Sequence, residues 1–123
     1  MSNNPVIYWE LASHDAEATK AFLCELFEWG AEWDSRIGLY DFEVPEGAPA
    51  AGGGVFTLRK AKLPFLTLYV RVDDIAVKAK KVEDLGGFIV EGPMDIPGGS
   101  KICLFNEPSG VTLAMIEPAN RAE

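Results

Sequence analysis

Apolar and polar positions along this chain follow two rhythms, one of period two and one near 3.6, and the rhythms succeed each other in the same order twice. Residues 5–12 alternate as a strand, with Val6, Tyr8 and Glu10 on one face and Ile7, Trp9 and Leu11 on the other. Ser13-His14-Asp15 supplies helix-starting side chains. The helix predicted from there to Glu28 has Ala18, Phe22, Leu23, Leu26 and Phe27 as its apolar stripe, and Gly30 as its stop. Ala31 to Asp34 reads as a short strand. Leu39 to Val44 alternates Leu39, Asp41 and Glu43 against Tyr40, Phe42 and Val44, the pattern of a half-buried strand. The breaker-rich run from Pro45 to Gly54 predicts a loop, after which Val55 to Arg59 resumes as a strand.

The second half repeats this plan. Phe65 to Val72 alternates Phe65, Thr67, Tyr69 and Arg71 against Leu66, Leu68, Val70 and Val72. Asp73-Asp74 opens a helix whose stripe is Ile75, Ala79, Val82 and Leu85, and Gly86-Gly87 ends it. Phe88–Glu91, Lys101–Phe105 and Val111–Ile116 read as strands, separated by turns at Pro97-Gly98-Gly99 and Glu107-Pro108-Ser109-Gly110. Asp15 and Asp74 stand 59 positions apart, as do Leu26 and Leu85. Such self-similarity predicts two βαβββ modules, over residues 5–60 and 64–118, in a single α+β domain. A module of about 60 residues is marginal alone, so the two are expected to fold against one another or against a second chain.

Composition narrows the function. The formal charge of −8 argues against nucleic acid, whose binding rests on cations neutralising phosphates. The cations that exist concentrate between Arg59 and Lys81, where a solvated helix face is the plainer explanation. No apolar run reaches the roughly 18 residues of a membrane span. Met1 to Asn4 lacks a basic, apolar leader, so a cytoplasmic location is expected. Cys24 and Cys103 form no metal- or redox-type pair and read as buried free thiols. Nothing matches a nucleophile elbow, a P-loop or a dinucleotide fingerprint; Gly52-Gly53-Gly54 and Gly98-Gly99 lack the flanking residues.

Four stretches together resemble the vicinal oxygen chelate superfamily, which includes glyoxalase I, extradiol dioxygenases and the bleomycin-resistance proteins. They are Asp15 through Leu26-Phe27-Glu28-Trp29-Gly30, Val70-Arg71-Val72-Asp73-Asp74-Ile75, Leu85-Gly86-Gly87, and Asn106-Glu107-Pro108-Ser109-Gly110. The resemblance implies two tandem modules forming a curled mixed sheet with an open cup. It also implies a divalent metal held by His, Glu or Gln on the first and last strand of each module. Those positions fall on Tyr8, Thr67 and Ala114, and near Gly53 to Val55. None is a residue that such metals favour, so no metal cofactor is expected.

Alternation and resemblance together place Tyr8, Glu10, Thr67, Tyr69, Arg71, Thr112 and Ala114 inside the cup. The third strand of the first module adds either Tyr40 and Phe42 or Asp41 and Glu43, and the first pair is taken as lining. An aromatic surface with a few polar anchors suits a small-molecule pocket. Arg71 offers paired hydrogen bonds to an anion, and Glu10 an anchor for a cationic nitrogen. The expected function is metal-free binding of a small aromatic or amphipathic molecule by a homodimer. The alternative is an isomerase, lyase or dioxygenase-type enzyme with a metal-free or atypical site and Glu10 as its catalytic base.

Overall fold

The computed structural model describes residues 4–44, 46–47, 52–59 and 62–119. The chain divides into two compact units, one of Ile7–Thr67 and one of Met1–Val6 with Leu68–Glu123. The fold class is α+β, and the element order is βαβββ twice.

In the first module β1 (Val6–Ser13) leads to α1 (Ala16–Phe27), then β2 (Ala31–Asp34), β3 (Leu39–Phe42) and β4 (Gly52–Thr57). The strands lie in the order β2-β3-β4-β1, with β1 and β4 parallel and the other neighbours antiparallel. Asp15 caps α1 by accepting the Ala18 N–H at 3.2 Å. The last strand completes the cap, because Thr57 Oγ1 accepts the Ala16 N–H at 2.9 Å. These bonds fix the rotation of α1 and seat Ala16 against the sheet.

The apolar face of α1 therefore differs from the expected one. Phe22, Leu26 and Phe27 are 64, 56 and 51% exposed, while Leu23 and Cys24 turn toward the core. Counting turns from the anchored Ala16 leads to Leu23 and Cys24, and leaves Phe22 and Leu26 outside. The helix ends at Phe27, next to the expected Glu28. Glu28 adopts the left-handed conformation at φ 58°, in place of the expected glycine.

Gly52-Gly53-Gly54 is a strand, not the end of a loop; positions 45 and 48–51 lie outside the described residues. Its parallel register sets Tyr8, Trp9 and Glu10 beside Gly52, Gly53 and Gly54. A Cβ on Gly53 would collide with the Trp9 indole, so the glycine is where an aromatic side chain passes over β4. The indole packs against Phe42 and Trp29, at ring centroids 5.4 and 6.1 Å away, above buried Ala16 and Val55.

In the second module β5 (Phe65–Arg71) leads to α2 (Ile75–Asp84), β6 (Phe88–Asp95), β7 (Lys101–Asn106) and β8 (Thr112–Glu117). The order is β5-β8-β7-β6, with β5 and β8 parallel. Asp74 caps α2 through the Val77 N–H at 3.1 Å, and Glu117 Oε1 at the end of β8 accepts the Ile75 N–H at 3.0 Å. The core is aliphatic and sulfur-bearing: Val72, Ile75, Ala79, Cys103 and Met115. Leu85, expected in the buried stripe, is 69% exposed, because it is the C-cap residue and has left the helical spiral. β6 continues past Glu91 to Asp95, through register shifts and a cis Gly92–Pro93 bond.

Candidate functional site

Strand register sorts the side chains of each module onto two faces. In the first module Trp9, Phe42 and Val55 face α1. The opposite face presents a lateral row across all four strands, Glu32–Asp41–Gly54–Glu10, with Tyr8 one step along. The Tyr8 hydroxyl donates to Asp41 Oδ1 at 3.1 Å, reaching from β1 across β4 to β3.

This bond reverses one expectation. Tyr40 and Phe42 do not share the Tyr8 face; Phe42 is 4% exposed within the α1 core, and Tyr40 packs against the same cluster. Asp41 takes the position facing Tyr8. The alternation of residues 39–44 was legible, but both of its faces carry apolar groups, so the pattern alone left the inward side open.

Charge concentrates where Tyr8 sits. Burial raises the Tyr8 phenol far above its ordinary range, and the charge and hydrogen bond of Asp41, then the charges of Glu10 and Asp34, push it further. Tyr8 is thus a stable neutral hydroxyl and no source of phenolate. Asp41 also borders a hollow of about 340 Å³ formed with Glu32, Trp33, Asp34, Ser35 and Arg36. The Asp34 carboxyl there is held below its ordinary value, chiefly by its hydrogen bond with Arg36, whose Nη2 lies 3.2 Å away. Sequence analysis offered Asp41 only in the pair not taken as lining, and it missed Trp33 and this hollow. Their linear signal is the alternation of acidic Glu32 and Asp34 in β2, with Asp41 in β3.

In the second module the corresponding row is Glu91–Leu104–Ala114–Tyr69. Thr67, Tyr69 and Ala114 are 2, 6 and 0% exposed, whereas Arg71 is exposed and Thr112 is half-buried, its hydroxyl 2.6 Å from Asn106 Oδ1. A second hollow, about 430 Å³, lies at the start of α2, lined by residues that include Asp74, Met94, Lys101 and Glu117. Asp74 and Glu117 there already cap the helix, and Lys101 pairs with Asp95 at 3.3 Å. Cys103 is fully buried, and burial pushes its thiol up, away from thiolate chemistry.

The architecture can now be set beside known proteins. The sequence profile of the Glyoxalase/Bleomycin resistance protein/Dioxygenase superfamily matches residues 6–115. The chain belongs to that superfamily. The anthracycline biosynthesis protein DnrV of Streptomyces peucetius is 25% identical over 127 residues, which cover 88% of this chain and 45% of DnrV. The chain thus spans about half the length of that curated relative. Among solved structures, a hypothetical protein of Bacillus halodurans C-125 superposes with a TM-score of 0.72 at 13% identity, covering 99% of each chain. Methylmalonyl-CoA epimerase of Mycobacterium tuberculosis superposes with a TM-score of 0.67 at 16% identity, covering 98% of this chain and 93% of its own. These likenesses establish the shared fold.

Metal-dependent members of the superfamily would require donors at the first- and last-strand positions. The parallel registers make Gly54 and Ala114 equivalent, beside Glu10 and Tyr69 respectively. Glycine and alanine offer no donor atom, and Tyr8 and Thr67 supply neither imidazole nor carboxylate. The residues present therefore do not fit the family's ligand set. Among the described residues, no three His, Cys, Asp or Glu side chains come close enough to hold an ion.

Proposed function

We propose that this protein binds a small, flat, amphipathic molecule carrying a basic nitrogen, without a divalent metal, on the sheet face of the first module. The observation that carries the reading is the Asp41 carboxylate, which both receives the Tyr8 hydroxyl and borders the acidic hollow. With its one proton given to Asp41, the Tyr8 oxygen can only accept from anything else. Glu10 and Asp41 are acceptors when ionised, so this face favours a ligand that donates hydrogen bonds. The Tyr8 ring offers apolar surface, and burial of ligand area there stabilises the complex by about 25 cal/mol per Å². A hollow of about 340 Å³ lies at the small end of ligand pockets, roughly 300–1,000 Å³. The relative's role in anthracycline biosynthesis is compatible with a polycyclic aromatic ligand. A homodimer belongs to the same proposal, supported by Phe22 and Leu26 standing out from α1.

Fluorescence titration with proflavine, a flat cationic dye, and with anionic 1-anilinonaphthalene-8-sulfonate tests the reading, both in a metal chelator. Proflavine is expected to bind more tightly than the anionic dye. Glu10→Gln and Asp41→Asn should each weaken it by about tenfold, a loss of one charge-assisted contact. Tighter binding of the anionic dye, or a stoichiometric metal found by elemental analysis after dialysis, overturns it.

The epimerase neighbours and the place of Glu10 on the Tyr8 face favour one second reading, proton transfer next to an acyl carbonyl with Glu10 as base. Solvent deuterium entering an acyl thioester, and ceasing in Glu10→Gln, would replace the binding reading with this one.

A further inference from the structure

Three residues on three neighbouring strands of the first module depend on one another. Tyr8 on β1 reaches over β4 to Asp41 on β3, and the residue that both strands pair with along that path is Gly54, partner of Glu10 and of Asp41. A Cβ at position 54 would collide with the Tyr8 hydroxyl and stand 3.2 and 3.3 Å from the Leu39 methyls. A Cβ at Gly52 meets only ordinary contacts, with Tyr8 Cδ1 at 3.8 Å. Gly54 does not adopt the left-handed conformation that demands glycine. Its backbone would accept any residue. The glycine is needed for the tyrosine.

We propose that Gly54 is a specificity-determining position of the first-module site: by carrying no side chain it lets the Tyr8 hydroxyl cross β4 to Asp41. The crossing sets what the face can recognise, and this role rests on the binding reading above. Gly54 touches no ligand and acts through Tyr8. Position 54 is also where a metal-ligating side chain of the family would stand, and the Tyr8 hydroxyl fills that space. Metal exclusion then has two physical causes, missing donors and an occupied volume. Any side chain at 54 must turn the ring aside, because the tip of Tyr8 yields more readily than the buried backbone of β4. The hydroxyl then leaves Asp41, and the face regains a free donor beside the hollow.

The test is a double-mutant cycle of Gly54→Ala and Tyr8→Phe in the full chain, read by thermal unfolding, ultraviolet titration of tyrosine and proflavine binding. Gly54→Ala alone should lower Tm by about 4–8 °C, and by about 2 °C or less when Tyr8→Phe has removed the colliding oxygen. Tyr8, identified by the step that Tyr8→Phe removes, should ionise well above its ordinary range in the unchanged chain and closer to that range in Gly54→Ala, which breaks its bond to Asp41. Proflavine should bind Gly54→Ala about tenfold more weakly. An equal Tm loss in both backgrounds, or an unchanged tyrosine titration, overturns the role of Gly54 and leaves the binding reading standing. Proflavine bound equally by both forms removes the specificity role alone. Proflavine bound by no variant overturns the binding reading and, with it, the specificity role, while the Tm coupling still reports the packing.

Discussion

The two modules share a frame and differ in what they build on it. Asp15 and Asp74 cap the two helices in the same way, and in each module the end of the last strand, Thr57 or Glu117, takes the first free helix N–H. The cores diverge. The first packs Trp9, Trp29 and Phe42 over glycine, and the second packs Ile75, Cys103 and Met115. The lateral rows on the sheet face away from each helix diverge further, Glu32–Asp41–Gly54–Glu10 against Glu91–Leu104–Ala114–Tyr69. Groups that close the backbone hydrogen bonds are alike, because both modules have the same helix ends to satisfy. Groups that fill the faces are free to differ, and there the first module has become acidic and the second apolar.

The largest effect should come from the core that has no counterpart. Gly53→Ala forces a methyl into the Trp9 indole and should cost about 3 kcal/mol or more in urea unfolding, at the upper end for overpacking. A cost below about 1 kcal/mol would mean that the aromatic core repacks, and that the contrast between the two cores is shallow. The shared frame gives the next effect. Asp15→Ala and Asp74→Ala should each cost about 1 kcal/mol, and nearly equally. Unequal costs would show that the symmetry of the caps is geometric and not energetic.

The smallest effect lies in a turn of the second module. Glu107 accepts the hydroxyl of Ser109 and the N–H groups of Ser109 and Val111, and these bonds hold its carboxyl below the ordinary 4.5, the Ser109 hydroxyl first. A lowered folded pKa means that the folded state binds the proton less tightly than the unfolded state does. The stabilisation is complete above about pH 4.5 and is lost as pH falls through the folded pKa. Glu107→Gln should flatten this acid limb in thermal unfolding scans below pH 5 and leave neutral Tm nearly unchanged, since Glu107 is solvent-facing. A limb that persists would assign the acid sensitivity to other carboxylates.

Most of the frame was legible in the linear pattern. Alternation at 6–11 and 65–72, aspartates before both helices and glycines after the second are local signals, each produced by backbone geometry within a few residues. The strand Gly52–Gly54 was not legible, because glycine has no side chain to alternate and is read as a breaker. What makes it a strand is Trp9 and Tyr8, more than 40 residues earlier, lying across it. The stripe of α1 was misread for a similar reason. Phe22 and Leu26 fit a periodic face, but a bond from Ala16 to Thr57 sets the rotation of the helix.

The sequence by itself determined the superfamily fold, because element order is a property of the chain. Only the tertiary structure decided that Asp41 and not Phe42 meets Tyr8, that Gly54 lies beneath that meeting, and that Tyr69 and Ala114 are buried. Those facts depend on which residues of different strands stand side by side. Register between distant strands is set by packing and hydrogen bonds across space, which no single stretch of sequence encodes.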